Sequence, residues 1–141
     1  SARSCWPAMT VTVTEPLDIR TSQDVVRVRQ RVRTLAVEAG LSLVDQTKIV
    51  TAASELARNT LDYGGGGHVV TELLTAPRRG VRLTFVDSGP GIRDIDEALR
   101  DGFTTGSGLG LGLGGAKRLS SEFDIASTPG QGTRIMIARW K

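Results

Sequence analysis

The sequence predicts an α+β fold: a two-layer sandwich in which helices cover one face of a mixed, mostly antiparallel sheet. Strands follow strands and helices follow helices along the chain, in the predicted order β-α-α-β-β-(α)-α-β-β. Apolar residues recur with a helical period in two long segments of the first half of the chain. The 141 residues, of which 39% are hydrophobic and 23% charged, suffice for one domain with a buried core.

Composition and charge narrow the classes of protein and partner. The net charge of +3 is too small to indicate nucleic-acid binding and suits an acidic partner or a polyanionic ligand equally. A single cysteine, Cys5, precludes an internal disulfide and favours the reducing cytoplasm. No apolar run reaches the roughly 20 residues of a membrane span. Residues 1–9 are interpreted as a vector remnant or a disordered extension, and residues 10–141 as a single domain.

The domain is predicted to begin with a strand over residues 11–19, followed by a helix. Thr21 or Ser22 caps this helix, and Gly40 ends it. Four arginines lie off its apolar stripe, where they form either a solvated basic face or a docking surface for an acidic partner: Arg27, Arg29, Arg31 and Arg33.

A second helix is predicted from about Leu43 to Tyr63, ended by four glycines at 64–67. The remaining predicted elements are two strands at 68–75 and 81–87, a short helix at 93–102, a third helix at 111–123, and a closing hairpin with strands at 124–127 and 133–140.

Glu55 and Asn59 are one turn apart on the second predicted helix, along the edge of its apolar face. A carboxylate and an amide at this spacing can hold a hard cation such as magnesium while the carboxylate accepts a proton. An exposed glutamate is ordinary on a helix, whereas an asparagine deep in a helix is less so, because Asn is a poor helix former. Two interpretations of Glu55 and Asn59 remain open: a catalytic pair, or polar side chains on a solvated helix edge.

A second candidate site follows the predicted strand 81–87. Asp87 ends the strand, and Gly89 and Gly91 allow the backbone to approach a flat ligand closely. A carboxylate only accepts hydrogen bonds, so Asp87 could bind an exocyclic amine. A simple turn is the alternative interpretation of this glycine-containing segment.

Glycine occupies every second position from Gly106 to Gly114, and this stretch runs into the third predicted helix. A strand with so many glycines would be weak, and a linker would explain neither the alternating leucines nor the helix. We interpret the segment as a phosphate-binding loop, whose open backbone N–H groups and helix N-terminus face the ligand. It matches neither a Walker A motif nor a dinucleotide-binding motif.

Three other polar residues are weaker candidates. Lys48, near the edge that carries Glu55, and Lys117 in the third helix could contact phosphate, although exposed basic residues are usually only solvated. His68 is the only histidine, and we expect it at the surface rather than in catalysis.

Taken in this order, the motifs resemble those of the GHKL ATPase superfamily, also called the Bergerat fold. The stretch ELARN at 55–59 looks like the N-box, DSGPG at 87–91 like the first glycine box, and GSGLGL at 106–111 like the second. Gly132 and Thr133 resemble the final element of the nucleotide pocket. The resemblance covers nearly all of the chain and is greatest with the anti-sigma-factor kinase group, in particular its stressosome switch kinases.

The resemblance implies a role for each matching residue. Glu55 would be the catalytic base and Asn59 would bind ATP through a magnesium ion. Asp87 would bind the adenine amine, with Thr133 supporting it, and the segment 93–110 would form a lid over the ATP. The other ATP-binding residues would shape the adenine pocket and enclose the triphosphate: Gly89, Gly91, Gly106, Ser107, Gly108, Leu109 and Gly110. The extra glycines at 64–67 and 114–115 depart from the family pattern. How rigid the rim of the pocket is therefore stays an open question.

The resemblance also implies a function. The chain would be a cytoplasmic serine/threonine protein kinase that uses ATP and magnesium in bacterial stress signalling. It would phosphorylate STAS-domain proteins and then bind and activate a PP2C-type phosphatase, with no nucleic-acid or membrane partner. One alternative is an anti-sigma-factor kinase that sequesters a sigma factor. Others are a nucleotide-gated protein-binding module without transferase activity, and a scaffold that binds no nucleotide.

Overall fold

The computed structural model describes residues 10–92, 94–99 and 112–141. Helices lie against one face of a sheet, so the predicted α+β sandwich is confirmed. In chain order the elements are β1 Thr10–Val13, β2 Leu17–Ile19, α1 Ser22–Glu38, α2 Leu43–Asp62, β3 Gly67–Ala76, β4 Gly80–Asp87, α3 Ile95–Ala98, α4 Gly112–Arg118, β5 Glu122–Thr128 and β6 Gly132–Trp140.

The sheet has the strand order β1-β3-β4-β6-β5, with β2 also pairing with β3. The sequence predicts a mixed sheet, but every pairing among the described strands is antiparallel. For β3–β4 and β5–β6 the reason is local, because each pair is a hairpin and antiparallel strands can be joined by such short connections. The central strands β4 and β6 place Asp87 opposite Thr133.

The predicted first strand, 11–19, is two strands in the structure. β1 and β2 both pair with β3, with Val13 opposite Glu72 and Leu17 opposite Val69. Between them lies Pro16, which has no N–H group to donate to a sheet ladder. The proline therefore interrupts the predicted strand, which forms two short strands in the structure.

Both long helices begin and end close to the predicted residues. Thr21 and Asp24 form a capping box at the start of α1, and the Ser42 side chain caps α2. Each helix buries an apolar stripe against the sheet, and the interior is filled by large side chains that are almost fully buried: Val28, Val32, Ile49, Leu56, Val69, Leu83, Phe85 and Ile137. No helix in the described ranges is long and apolar enough to span a bilayer.

The third helix is shorter than predicted. The prediction extends it to Phe123, but α4 ends at Arg118 and Phe123 lies in β5, opposite Ile137. The Ser120 hydroxyl donates to the Ala116 carbonyl at 2.8 Å, and the Ser121 N–H then donates to the Ala138 carbonyl at 2.8 Å. The backbone thus leaves the helix and joins the sheet ladder at these two serines.

The short helix predicted at 93–102 appears in part as α3. It comprises four residues, and the side chain of Asp94 caps it by accepting from the Glu97 N–H at 3.0 Å. Residues 93 and 100–111, which include most of the predicted lid, lie outside the described part of the chain.

Candidate functional site

A cavity of about 610 Å³ lies between the last turns of α2, the end of β4, the start of α4 and the β5–β6 turn. Four residues predicted from three separate motifs line it: Asn59, Asp87, Gly91 and Thr133. The rest of its wall is largely apolar and comes from Thr60, Tyr63, Gly64, Phe85, Pro90, Ile92, Asp94, Glu97, Ala98, Gly112, Leu113, Pro129, Gly130 and Ile135. Concave, mainly apolar walls with a few converging polar groups are typical of small-molecule sites.

Asp87 is the carboxylate at the end of β4, and it is half-buried. Its Oδ1 accepts a hydrogen bond from the Gly89 N–H at 2.9 Å. Its Oδ2 has no hydrogen-bond partner among the described residues. Because a carboxylate can accept several hydrogen bonds, Asp87 retains the capacity to accept one from a ligand in the cavity.

Two glycines hold Asp87 in place by close packing. A Cβ on Gly64 would overlap the Asp87 side chain, and a Cβ on Gly132 would overlap the Asp87 carbonyl oxygen. Gly132 also has a φ of +118°, which favours glycine. At Gly64, therefore, the extra glycine of the run 64–67 permits a close contact that defines the position of a site residue.

The two glycines of the segment after β4 also serve backbone packing. A Cβ on Gly89 would lie 2.6 Å from the Gly64 Cα, and a Cβ on Gly91 would lie 2.5 Å from the Thr128 carbonyl oxygen. Gly91 has a φ of +79° and lines the cavity, whereas Gly89 does not. Both therefore shape the wall, and only Gly91 is placed to contact a ligand directly.

Thr133 is buried in the cavity wall and is tied to the rest of the site by Ser127. The Ser127 Oγ lies 2.8 Å from the Thr133 Oγ1 and 3.2 Å from the Gly132 carbonyl oxygen, to which it can donate. It also accepts from the Ile92 N–H at 2.7 Å. One hydroxyl thus connects the segment after β4 to both strands of the final hairpin.

Ser127 is missing from the residues proposed on sequence. The signal that could have found it is the register of the closing hairpin, in which Ser127 and Thr133 are directly opposite each other. Cross-strand neighbours on one face of a hairpin are close enough to form hydrogen bonds. A polar residue opposite a predicted site residue is therefore a candidate partner.

Asn59 and Glu55 have different surroundings although they are one turn apart on α2. Asn59 is half-buried and lines the cavity, and its backbone carbonyl accepts from the Tyr63 N–H at 2.9 Å and from the Gly64 N–H at 3.2 Å. Glu55 is only 3% exposed, has a partner within the protein, and is not among the residues that line the cavity. The alternative of a solvated helix edge is therefore wrong for Glu55, and its catalytic role stays a prediction.

The other predicted residues lie away from the cavity or outside the described ranges. Lys48 is on the first half of α2, Lys117 is exposed near the end of α4, and His68 is half-buried on β3. None of the three lines the cavity. The predicted phosphate-binding loop lies outside the described part of the chain, with its residues Gly106, Ser107, Gly108, Leu109 and Gly110. The described chain resumes at Gly112, and both Gly112 and Leu113 line the cavity.

The described residues contain no cluster of three or more His, Cys, Asp or Glu side chains that could enclose a metal ion. The polar groups of the cavity include the Asp87 carboxylate, the Thr133 hydroxyl and the side-chain amide of Asn59. Such a set can bind an amine and contribute one neutral oxygen to a cation whose other ligands come with the bound molecule. This donor set is compatible with a nucleotide that carries its own phosphate ligands.

Comparison with known proteins identifies the family. Residues 44–141 match the family described as histidine kinase-, DNA gyrase B-, and HSP90-like ATPases. The chain is 44% identical over 123 residues to the serine/threonine-protein kinase RsbT of Bacillus subtilis. The aligned region covers 86% of this chain and 92% of RsbT. It is 27% identical over 124 residues to the anti-sigma F factor of Thermoanaerobacter pseudethanolicus, covering 84% of this chain and 87% of that protein.

A solved structure shares the fold. The crystal structure of the RsbU and RsbW domains of a Mycobacterium tuberculosis protein matches with a TM-score of 0.60 and 25% sequence identity. The match covers 90% of this chain and 33% of that longer chain. The chain therefore belongs to the family of histidine kinase-, DNA gyrase B- and HSP90-like ATPases, in the group of serine/threonine protein kinases that RsbT represents.

Proposed function

We propose that this serine/threonine protein kinase binds ATP with magnesium in the cavity and transfers the γ-phosphoryl group to a STAS-domain regulator. The observation that best supports the site is the convergence of three motifs separated in sequence: Asn59, Asp87 and Thr133 line one cavity. Its volume is within the range of cavities that hold drug-sized ligands and cofactors.

Asp87 selects the adenine base. Its Oδ2, which the Gly89 N–H does not use, accepts a hydrogen bond from the exocyclic amine of adenine. Guanine has a carbonyl oxygen at the equivalent position, and a carboxylate would repel it. Thr133, opposite Asp87 across β4 and β6, supports the same edge of the base, while Phe85 and Ile135 supply apolar wall.

Asn59 holds the metal ion. Magnesium sites in phosphoryl-transfer enzymes commonly use one or two protein ligands, with phosphate and water oxygens completing the coordination. The side-chain amide oxygen of Asn59 fits that limited protein contribution. Bound magnesium supplies neutralisation of the charge that develops on the transferred phosphoryl group.

Glu55 is the base for the substrate hydroxyl. The hydroxyl proton moves to the Glu55 carboxylate, the new O–P bond forms at the γ-phosphorus, and the bond to the β-phosphate oxygen breaks to release ADP. Glu55 lies one turn before Asn59 on α2, so the base and the metal ligand are held by one rigid element. Its low exposure keeps the carboxylate away from bulk water.

The proposed protein partners are those that the resemblance to the anti-sigma-factor kinase group implies. RsbT is a serine/threonine-protein kinase, and the chain covers nearly all of it. We assign this chain a STAS-domain substrate and, after phosphorylation, a PP2C-type phosphatase that it binds and activates. The kinase acts in the cytoplasm, where ATP is available and where a lone cysteine stays reduced.

A second candidate function is that of an anti-sigma factor, since several relatives with about a quarter of their residues identical carry that name. The chemistry is the same and the bound partner differs. A pull-down with a sigma factor distinguishes the two, because we expect only an anti-sigma factor to retain one.

Transfer of labelled γ-phosphate from ATP to a STAS-domain protein tests the proposed function. We expect label on the STAS protein with the wild type, and at least about a 100-fold slower transfer with Glu55→Ala. Asn59→Ala should also abolish transfer, whereas Asp124→Asn, an exposed change on β5, should not. ATP binding should survive in Glu55→Ala.

Two outcomes would contradict the proposal. Tight ATP binding without any labelled STAS protein would favour a nucleotide-gated binding module. Unchanged transfer by Glu55→Ala would remove Glu55 from the role of base and leave the rest of the site standing.

A further inference from the structure

The cavity wall contains a second aspartate, to which the proposed function gives no role. Asp94, which directly precedes α3, lines the cavity together with Asp87, and the residue is exposed to solvent. Its Oδ1 accepts from the Glu97 N–H at 3.0 Å and caps α3. Its Oδ2 has no hydrogen-bond partner in the ranges that the structure describes. One carboxylate oxygen is therefore committed to the helix, and the other is available to a ligand.

Hydrogen bonds hold the backbone on both sides of Asp94. Two residues earlier, the Ile92 N–H donates to the Ser127 hydroxyl at 2.7 Å, which anchors the segment to the final hairpin. On the other side, the Ala98 N–H donates to the Asp94 carbonyl oxygen at 3.0 Å, and α3 contacts α4. The Asp94 carboxylate is therefore a positioned group of the cavity wall.

The chemistry of ATP limits what a carboxylate oxygen can bind in this cavity. A carboxylate only accepts hydrogen bonds, so its partner must be a donor or a cation. ATP has hydrogen-bond donors in two places, the exocyclic amine of adenine and the ribose hydroxyls. The triphosphate offers acceptors and carries negative charge, so it repels a carboxylate. Because Asp87 accepts from the amine in the proposed function, the ribose hydroxyls are the donors that remain.

We propose that Asp94 recognises the ribose of the bound nucleotide, with its Oδ2 accepting hydrogen bonds from the sugar hydroxyls. This assignment rests on the proposed function, since it takes ATP to be the ligand of the cavity. Asp94 ends the segment that begins at Asp87, and α3 contacts α4, which the predicted phosphate-binding loop precedes. The ribose joins the base to the phosphates, so the wall that connects these two regions faces the sugar.

The energetic consequence is a preference for ribonucleotides. A nucleotide that enters the cavity displaces water from the Asp94 carboxylate, and a charged group that loses water without a new partner is costly. Hydrogen bonds from the ribose hydroxyls offset that cost, and such bonds to a charged acceptor are stronger than neutral ones. A deoxyribose has one hydroxyl fewer, so it offsets less. Asp94 thereby selects the sugar as Asp87 selects the base.

Calorimetric titration with three magnesium nucleotides tests this role: ATP, 2′-deoxy-ATP and 3′-deoxy-ATP. We expect wild type to bind ATP about tenfold more tightly than the weaker-binding deoxynucleotide. In Asp94→Ser the preference should fall to about twofold or less, because one hydroxyl can still cap α3 but no carboxylate oxygen remains for the sugar. Asp96→Ser is the matched control: it removes the same charge from the first turn of α3, outside the cavity wall, and should keep the preference.

The ratio of affinities separates recognition from a structural role. A variant that only distorted α3 would weaken all three nucleotides by the same factor and keep the preference, and this result for Asp94→Ser would overturn the proposal. Equal affinity of wild type for all three nucleotides would overturn it as well. So would an unchanged preference with an altered magnesium dependence, which would assign the carboxylate to a cation.

The same titrations distinguish this proposal from the proposed function. Wild type that binds no ATP rejects both, whereas wild type that binds ATP and both deoxynucleotides equally rejects only the role of Asp94. A sugar preference in a protein that phosphorylates no STAS protein retains Asp94 and rejects the proposed substrate.

Transfer kinetics provide a second measurement. For Asp94→Ser we expect KM for ATP to rise about tenfold and kcat to stay within about twofold of wild type, because the sugar stays bound in the same way throughout the transfer. Asp96→Ser should leave both constants within about twofold of wild type. A fall in kcat with an unchanged KM in Asp94→Ser would contradict the assignment.

Discussion

Two carboxylates on adjacent strands of the sheet, Glu72 and Asp87, are held in contrasting ways. Glu72 is directly opposite Arg82 and accepts from it with both oxygens, from Nε and from Nη2, each at 2.7 Å. Both side chains are buried, and the pairing raises the pKa of Arg82 above its ordinary value. Asp87 receives a single hydrogen bond, from the Gly89 N–H, and lines a cavity.

The contrast shows that the structural carboxylate is buried with both oxygens paired, whereas the carboxylate suited to binding is half-buried with one oxygen unused. Every acceptor site of Glu72 that faces Arg82 is used, so the pair contributes to folding and has little capacity for a ligand. Asp87 is less buried, yet its position is defined by the close approach of Gly64 and Gly132. A fixed carboxylate with an unused oxygen is suited to recognise an amine.

Breaking the structural pair should have the largest effect on stability. Glu72→Gln removes the carboxylate that pairs with the buried Arg82 side chain through two hydrogen bonds and leaves Glu122 as a remaining negative charge near it, and we expect a loss of about 3 kcal/mol in the free energy of unfolding. Urea denaturation measures it. ATP affinity should stay within about twofold of wild type. The double variant Glu72→Met/Arg82→Met should recover most of the loss, and an equal loss in both proteins would contradict the account.

Crowding Asp87 should have the next largest effect. The Cβ of Gly64→Ala would overlap the Asp87 side chain, so we expect a loss of roughly 2 kcal/mol and a clear fall in ATP affinity. Gly65→Ala is the matched control, because Gly65 has a φ of +73° but nothing within 4 Å of the added Cβ. It should lose stability through backbone strain and keep ATP affinity. Equal effects of both variants on ATP affinity would remove the role of the Gly64 contact.

Removing the Ser127 hydroxyl should loosen the site more modestly. Ser127→Ala deprives the Ile92 N–H of its acceptor and Thr133 of its hydroxyl partner, and we expect a loss of about 1 kcal/mol with up to about tenfold weaker ATP binding. Ser121→Ala is the control, since its hydroxyl also accepts a backbone N–H, from Trp140 at 3.1 Å. Isothermal calorimetry should show normal ATP affinity in Ser121→Ala. The same weakening in both variants would contradict the assigned role.

The smallest expected effect concerns acid stability. Hydrogen bonding from Arg139 holds the pKa of Asp45 below its ordinary value. The stabilisation from this pair is therefore complete above the unfolded pKa, near 4, and is lost as the pH falls through the folded value. Since the pair is accessible to solvent, Asp45→Asn should cost no more than about 1 kcal/mol at neutral pH. The difference from wild type should vanish in acid, and a difference that grows in acid would contradict this sign.

Local signals in the sequence predict much of the fold. The predicted cap at Thr21 and the apolar periodicity place α1 and α2 closely, because these signals act within a few residues. The end of α4 and the start of β5 are misplaced, because Glu122 and Phe123 join the sheet by pairing with Ala138 and Ile137 of β6, which lie 16 and 14 residues further along the chain. Such long-range pairing leaves little trace in local periodicity.

The candidate site is predictable to a similar degree. Asn59, Asp87, Gly91 and Thr133 are found from motifs and converge in the structure. Ser127 and the packing roles of Gly64 and Gly132 are not found, because they depend on which segments meet in three dimensions. Sequence motifs identify the groups that could bind a ligand, whereas the contacts that position those groups become visible only in the fold.

The most direct test of the account is calorimetric titration of Asp87→Asn with ATP and magnesium, beside wild type and Asp124→Asn. The substitution keeps the size of the side chain but replaces a carboxylate that only accepts hydrogen bonds with an amide that also donates them. We expect ATP affinity to fall by at least about 100-fold in Asp87→Asn, with the unfolding transition nearly unchanged and Asp124→Asn like wild type. ATP binding by Asp87→Asn as tight as that of wild type would contradict the claim that Asp87 recognises adenine in this cavity.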